Sequence, residues 1–139
     1  MKSDEAKNLF KSGLNCSQSV FCAFAEEFGL SEEFAQKISC ALGGGVGRMR
    51  ETCGAVTGAA LVIGMKTGPD KVRSYAKVQE FCAAFKKEFG SIVCRELLNG
   101  VNASVGGSPE ERTKEYYQKR PCAEMVAKAA EILEKIDFS

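Results

Sequence analysis

The sequence predicts an all-α fold, a helical bundle of about six to eight helices. Three observations predict it. Apolar residues recur at helical spacing, as in Val20, Phe21, Phe24 and Phe28. The segments so marked start at cap residues and stop at glycines, as with Asn15 before the second helix and Gly29 after it. No stretch alternates apolar and polar residues as a half-buried strand does. The 139 residues suit one domain spanning 1–139, and 45% hydrophobic content supplies a core without disulfide staples.

The elements follow in order. Ser3 to Ser12 predicts a short helix with Ala6, Leu9 and Phe10 on its apolar side, ended by Gly13. Asn15 caps a second helix, with Gln18 at the capping-box position and Cys16 as its first residue. Ser31 caps a third, with Glu32 and Glu33 in its first turn and Phe34, Ile38 and Leu42 as its stripe. Gly43 opens a glycine-rich loop that carries Arg48 and Arg50. These glycines fit neither GxGxxG nor a P-loop, and no strand precedes them. A tight turn between two helices is the expectation, with Arg48 and Arg50 as candidate anion- or cofactor-binding groups.

The next helix, from Cys53, holds almost only small and apolar residues, so it belongs in the middle of the fold. Thr52 is its expected N-cap. Gly54, Gly58 and Gly64 each cost about 1 kcal/mol against alanine in a helix interior. Gly54 and Gly58 share a face that lets another backbone approach closely. That backbone belongs either to this chain or to a second copy in a homodimer.

Pro69 predicts the first turn of a long helix, with Val72, Tyr75, Val78, Phe81, Cys82, Phe85 and Phe89 as its buried side and Gly90 as its stop. Ser91 caps a short helix that holds Cys94 near its start. Asn99-Gly100 begins a polar loop to Gly107. Ser108-Pro109-Glu110-Glu111 predicts another helix start, and Pro121 opens the last helix with Cys122 in its first turn. There Met125, Ala129, Ile132, Leu133 and Ile136 form the apolar stripe, and Glu124–Lys128 and Glu131–Lys135 the outer pairs.

Composition removes several functions. There is no histidine, which excludes Ser–His and Cys–His catalysis and any imidazole-ligated zinc or haem. A net charge of +1 gives no reason to expect nucleic acid or an anionic membrane as partner. The start MKSDEAKNLFKSG is polar and amphipathic, so no signal peptide is expected and a cytoplasmic location is. In that compartment seven cysteines point to redox chemistry or metal binding.

The helix assignment sorts those cysteines. Cys16, Cys53, Cys94 and Cys122 each fall in the first turn of a helix, whereas Cys22, Cys40 and Cys82 lie within helices and read as core. A helix N-terminus favours thiolate over thiol; Arg48 and Arg50 can push Cys53 the same way, and Glu51 opposes them. If the four converge, they can cycle between dithiol and disulfide. Alternatively, four thiolates can hold zinc or an iron–sulfur cluster, although no CxxC spacing favours it. A third reading is a structural or interaction protein with inert thiols.

Asn15-Cys16, the run from Gly44 to Gly58 (GGVGRMRETCGAVTG), and the later Cys94 and Cys122 together resemble the C_GCAxxG_C_C family of small redox-active proteins. The family label prints Gly-Cys-Ala where this chain has Cys53-Gly54-Ala55, and the chain's order is taken as the motif. The resemblance covers most of the chain and implies a redox function that rests on four cysteines. Cys16 and Cys53 carry over directly, Cys94 and Cys122 by order, and Cys82 rivals Cys94 for the third place.

The leading expectation is thiol-based redox chemistry, with Cys53 as attacking thiolate, Cys16 as resolving partner, and Cys94 and Cys122 as a second pair or relay. No cofactor is required for it. Its partner would be a redox protein or a small sulfur-type electrophile.

Overall fold

A computed structural model describes residues 1–98 and 104–139 of the chain. The opening part of the polar loop expected from Asn99-Gly100 lies outside these residues. Eight regular α-helices are present among them: α1 (Lys2–Lys11), α2 (Cys16–Phe24), α3 (Glu32–Ser39), α4 (Gly54–Thr67), α5 (Lys71–Phe89), α6 (Cys94–Leu98), α7 (Lys114–Lys119) and α8 (Cys122–Lys135). The only extended pairing among the described residues is one antiparallel bridge between Thr52 and Val93. The fold is all-α. No helix among the described residues is long and apolar enough to cross a membrane.

Local chemistry sets most helix ends. Asn15 and Gln18 form the expected capping box: the Gln18 amide donates to Asn15 Oδ1 at 2.9 Å, and the Asn15 amide to Gln18 Oε1 at 3.0 Å. Ser31 accepts from the Phe34 amide at 3.1 Å at the start of α3. Gly29 and Gly90 end their segments in the left-handed conformation.

Packing centres on α2 and α4, which lie against each other, with α1, α5 and α8 around them. The glycine face of α4 decides this contact. A Cβ on Gly54 would come within 2.9 Å of Cys16 Cβ, and one on Gly58 within 2.7 Å of the Ser17 carbonyl oxygen. The face is therefore filled by α2 of the same chain, the first of the two alternatives, and not by a second copy. Helix α8 buries its whole expected stripe of Met125, Ala129, Ile132, Leu133 and Ile136.

Five expectations are corrected by tertiary contacts. Helix α3 buries the small Ala35 and Ser39 against the core and leaves Phe34 and Ile38 outside. Helix α5 is capped by Asp70, whose side chain accepts from the Arg73 amide, and only its second half is well buried; Val72 and Tyr75 face outward. Cys40 is exposed rather than core. Glu124 pairs with Lys7 at 2.7 Å instead of Lys128. Finally, Ser108 to Glu111 forms no helix: α7 starts at Lys114 with Thr113 as cap, and Glu110 is drawn into ion pairs instead.

Candidate functional site

Each of the four helix-start cysteines sits at a helix boundary. Cys16, Cys94 and Cys122 are the first residues of α2, α6 and α8, and Cys53 is the N-cap of α4. Thr52, the expected cap, is instead committed to the bridge with Val93. That bridge fixes two cysteines side by side. The Cys53 amide donates to the Ile92 carbonyl at 2.8 Å, and the Cys94 amide to the Glu51 carbonyl at 2.6 Å.

The other pair is set by α2 and α8. Asn15 anchors the start of α2 by donating to the Cys40 carbonyl at 2.9 Å, while Ser17 Oγ donates to the Ser39 carbonyl at 2.7 Å. The close approach of Ser17 to Gly58 then seats Cys16 beside the start of α4. Helix α8 delivers Cys122 to the same place, close enough for the Cys16 and Cys122 thiols to perturb each other's ionisation.

All four thiols line one chamber of about 60 Å3, and Cys22, Cys40 and Cys82 do not. Of the two cysteines that compete for the third place, Cys94 stands with Cys16, Cys53 and Cys122 and Cys82 does not. Arg50 reaches this chamber from the glycine loop and donates from Nη1 to Cys94 Sγ at 3.7 Å. It can do so because the loop folds tightly: Gly45, at φ +72°, leaves no room for a Cβ, which would meet Cys94 Cβ at 2.7 Å.

Arg112, Tyr116 and Arg120 complete the wall. Arg112 donates to the carbonyls of Phe10 at 3.0 Å and Leu14 at 2.9 Å, tying the segment before α7 to the end of α1. The guanidinium groups of Arg112 and Arg120 each stand 4.9 Å from the Tyr116 ring centroid. Burial pushes the Tyr116 phenol up to about 12, so it stays protonated near neutral pH. The sequence reading does not reach these three residues. The available signal is an arginine just ahead of a helix-start cysteine: Arg120 precedes Cys122 as Arg50 precedes Cys53.

Electrostatics separate the thiols. Cys122 is lowered to about 7, first by its hydrogen bond with Cys16 and then, against the opposing effect of burial, by Arg120, Arg112 and Arg50. Cys16 moves the opposite way, held protonated by the same hydrogen bond and by burial. The two thiols titrate as a pair, and Arg120, Arg112 and Arg50 favour the negative charge on its Cys122 member. Burial pushes Cys53 up to about 12, and the amides of Ala55 and Val56 at the start of α4 pull back too weakly to reverse it. The expected activation of Cys53 by its helix is thus overcome by desolvation.

The four thiols do not stand as a ligand cage. Among the described residues no three Cys, Asp or Glu side chains are grouped so as to hold a metal ion.

A second, larger cavity of about 280 Å3 adjoins the chamber, and Asn15, Gly44, Arg50, Arg112, Tyr116 and Arg120 line both. Arg48 lines the outer one with Glu110. Glu110 pairs with Arg48 at 3.7 Å, with Arg50 at 3.6 Å, and with Arg120. The two arginines expected as binding groups therefore do face a cavity, each with polar partners already in place.

The family described as "Putative redox-active protein (C_GCAxxG_C_C)" matches residues 14–136. The chain belongs to the C_GCAxxG_C_C family. No curated protein and no solved structure matches the chain. The matched span begins just before Cys16 and ends in the turn after α8, so it contains all four chamber cysteines of this C_GCAxxG_C_C protein.

Proposed function

We propose that the protein is a dithiol–disulfide exchange protein in which Cys122 is the attacking thiolate and Cys16 resolves. The observation that carries this reading is the charge arrangement around one sulfur. Cys122 is lowered to about 7 with Arg120, Arg112 and Arg50 acting on it, and Cys16 is adjacent. Thiolate, not thiol, attacks a disulfide, and an attacking thiol with pKa near ambient pH is best suited to it.

The steps follow. The Cys122 thiolate attacks one sulfur of a substrate disulfide, forming a mixed disulfide and expelling the first substrate thiolate. The Cys16 proton passes to that leaving thiolate. The Cys16 thiolate then attacks Cys122 Sγ, forms the Cys16–Cys122 disulfide and expels the second substrate thiolate. Two electrons pass from the protein dithiol to the substrate, and an external thiol reductant reverses the exchange. The Cys53–Cys94 pair is a second dithiol in the same chamber, buried and protonated at Cys53, suited to internal exchange rather than to first attack.

The test is thiol mapping after a limiting amount of a neutral disulfide, on protein purified without oxygen and analysed for metal. Wild type should form Cys16–Cys122 and release two equivalents of substrate thiol. Cys16→Ser should stall as a mixed disulfide on Cys122, and Cys122→Ser should lose the fast phase. A first adduct on Cys53, thiols that stay inert, or stoichiometric zinc or iron shielding the four cysteines would each overturn the reading.

A further inference from the structure

We propose that the arginine-lined cavity outside the thiol chamber is a binding site for a carboxylate-bearing small disulfide, and that it sets the substrate class of the exchange reaction. The inference rests on the proposed dithiol function. The chamber, at about 60 Å3, admits little more than the reacting sulfurs, so the body of a substrate must lie in the adjoining space of about 280 Å3. That space is charged. Arg48, Arg50, Arg112 and Arg120 line it against one carboxylate, Glu110. Arg50 and Arg120 are buried, at 3% and 8% exposure, so their charges are poorly screened. The same two residues reach the inner chamber. An anion held there would place the rest of its molecule toward Cys122.

Glu110 shows what the site accepts. One carboxylate of the protein's own chain is received by three guanidinium groups, on a segment without regular secondary structure. Guanidinium forks match planar carboxylates well, and Arg48, Arg50 and Arg112 alone outnumber that one carboxylate, which leaves positive charge for another. Asn15 and Tyr116 lie on the wall that the two spaces share. Arg48 has backbone support as well: its Nε donates to the Gly106 carbonyl at 3.0 Å. An incoming carboxylate either joins Glu110 or takes its place.

The test compares three short disulfides of similar size: 3,3′-dithiodipropionate, 2-hydroxyethyl disulfide and cystamine, which are anionic, neutral and cationic. The rate of mixed-disulfide formation at Cys122 should be about tenfold higher for the anion than for the neutral compound at low salt, with cystamine slowest, and the spread should shrink as salt rises. Arg48→Gln should lower the anion-to-neutral ratio and Glu110→Gln should raise it. As a readout independent of thiol chemistry, the unreactive thioether 3,3′-thiodipropionate should bind wild type by calorimetry and bind Arg48→Gln more weakly, with thermal melts confirming that each variant is folded. Equal rates for all three disulfides, with no thioether binding, would overturn the site while leaving the exchange function intact. Thioether binding without any disulfide reacting at Cys122 would overturn the function, and with it the site's role in substrate choice.

Discussion

At the scale of single residues, one contest recurs: burial against local charge. Cys53 and Cys122 both stand at helix starts and both are buried, yet their thiols diverge, to about 12 and about 7. The difference lies in the neighbours. Cys122 has Cys16 as donor and three arginines; Cys53 has two backbone amides and further thiols. Alkylation of Cys122 by iodoacetamide should therefore titrate with a midpoint near pH 7, and Arg120→Gln should raise that midpoint by about one unit, cutting the thiolate fraction at pH 7 about fivefold. Stability follows with opposite signs for the two thiols. The Cys122 contribution is present above pH 9 and is lost as pH falls through 7. The Cys53 contribution is present below pH 9 and is lost as pH rises towards 12, because the unfolded chain ionises there first. Urea unfolding of the reduced protein should show a stability loss above pH 9 of order a few kcal/mol by the end of that window, and Cys53→Ala should flatten that slope.

At the scale of elements, the glycines of α4 are not equivalent. An alanine at Gly58 would drive its Cβ to 2.7 Å from the Ser17 carbonyl oxygen, whereas Gly64 faces open space. Gly58→Ala should destabilise by about 1–3 kcal/mol, since neither backbone can yield without moving a helix. Gly64→Ala should stabilise by up to about 1 kcal/mol through helix propensity alone. Chemical denaturation of the two variants checks both, and the opposite signs separate packing from propensity. The elements also show where local reading succeeds. Asn15, Ser31, Gly29 and Gly90 act within a few residues of themselves, so their roles at helix ends are visible in sequence. Pro109 fails as a helix start because Glu110 serves a distant demand, the arginines at 48, 50 and 120.

At the scale of the whole molecule, the charged cluster ties together segments far apart in the chain. The glycine loop brings Arg48 and Arg50, the segment before α7 brings Glu110 and Arg112, and the turn into α8 brings Arg120. Thiolate formation at Cys122 and ion pairing at Glu110 draw on shared positive charge. Glu110→Gln should therefore shift the Cys122 alkylation midpoint below 7, opposite to Arg120→Gln, because Arg50 and Arg120 lose a competing anion. A midpoint that does not move would mean that the two anions are electrostatically independent.

By itself the sequence determined the all-α class, several of the helix ends, and the placing of Cys16, Cys53, Cys94 and Cys122 at helix starts, because hydrophobic period and capping act over one or two turns. Arg48 and Arg50 were legible as candidates too, since they sit in the glycine loop beside the Cys53 motif. Only the tertiary structure decided that the four cysteines share a chamber, that Cys122 rather than Cys53 bears the lowered thiol, and that Arg112, Tyr116, Arg120 and Glu110 line the chamber or the cavity beside it. The physical reason is range. A cap is satisfied by residues three or four positions away, but the ionisation of a buried sulfur depends on desolvation and on charges that reach it through space. Part of that charge comes from far along the chain: Arg50, which acts on Cys122, also contacts Cys94 across a separation of 44 positions.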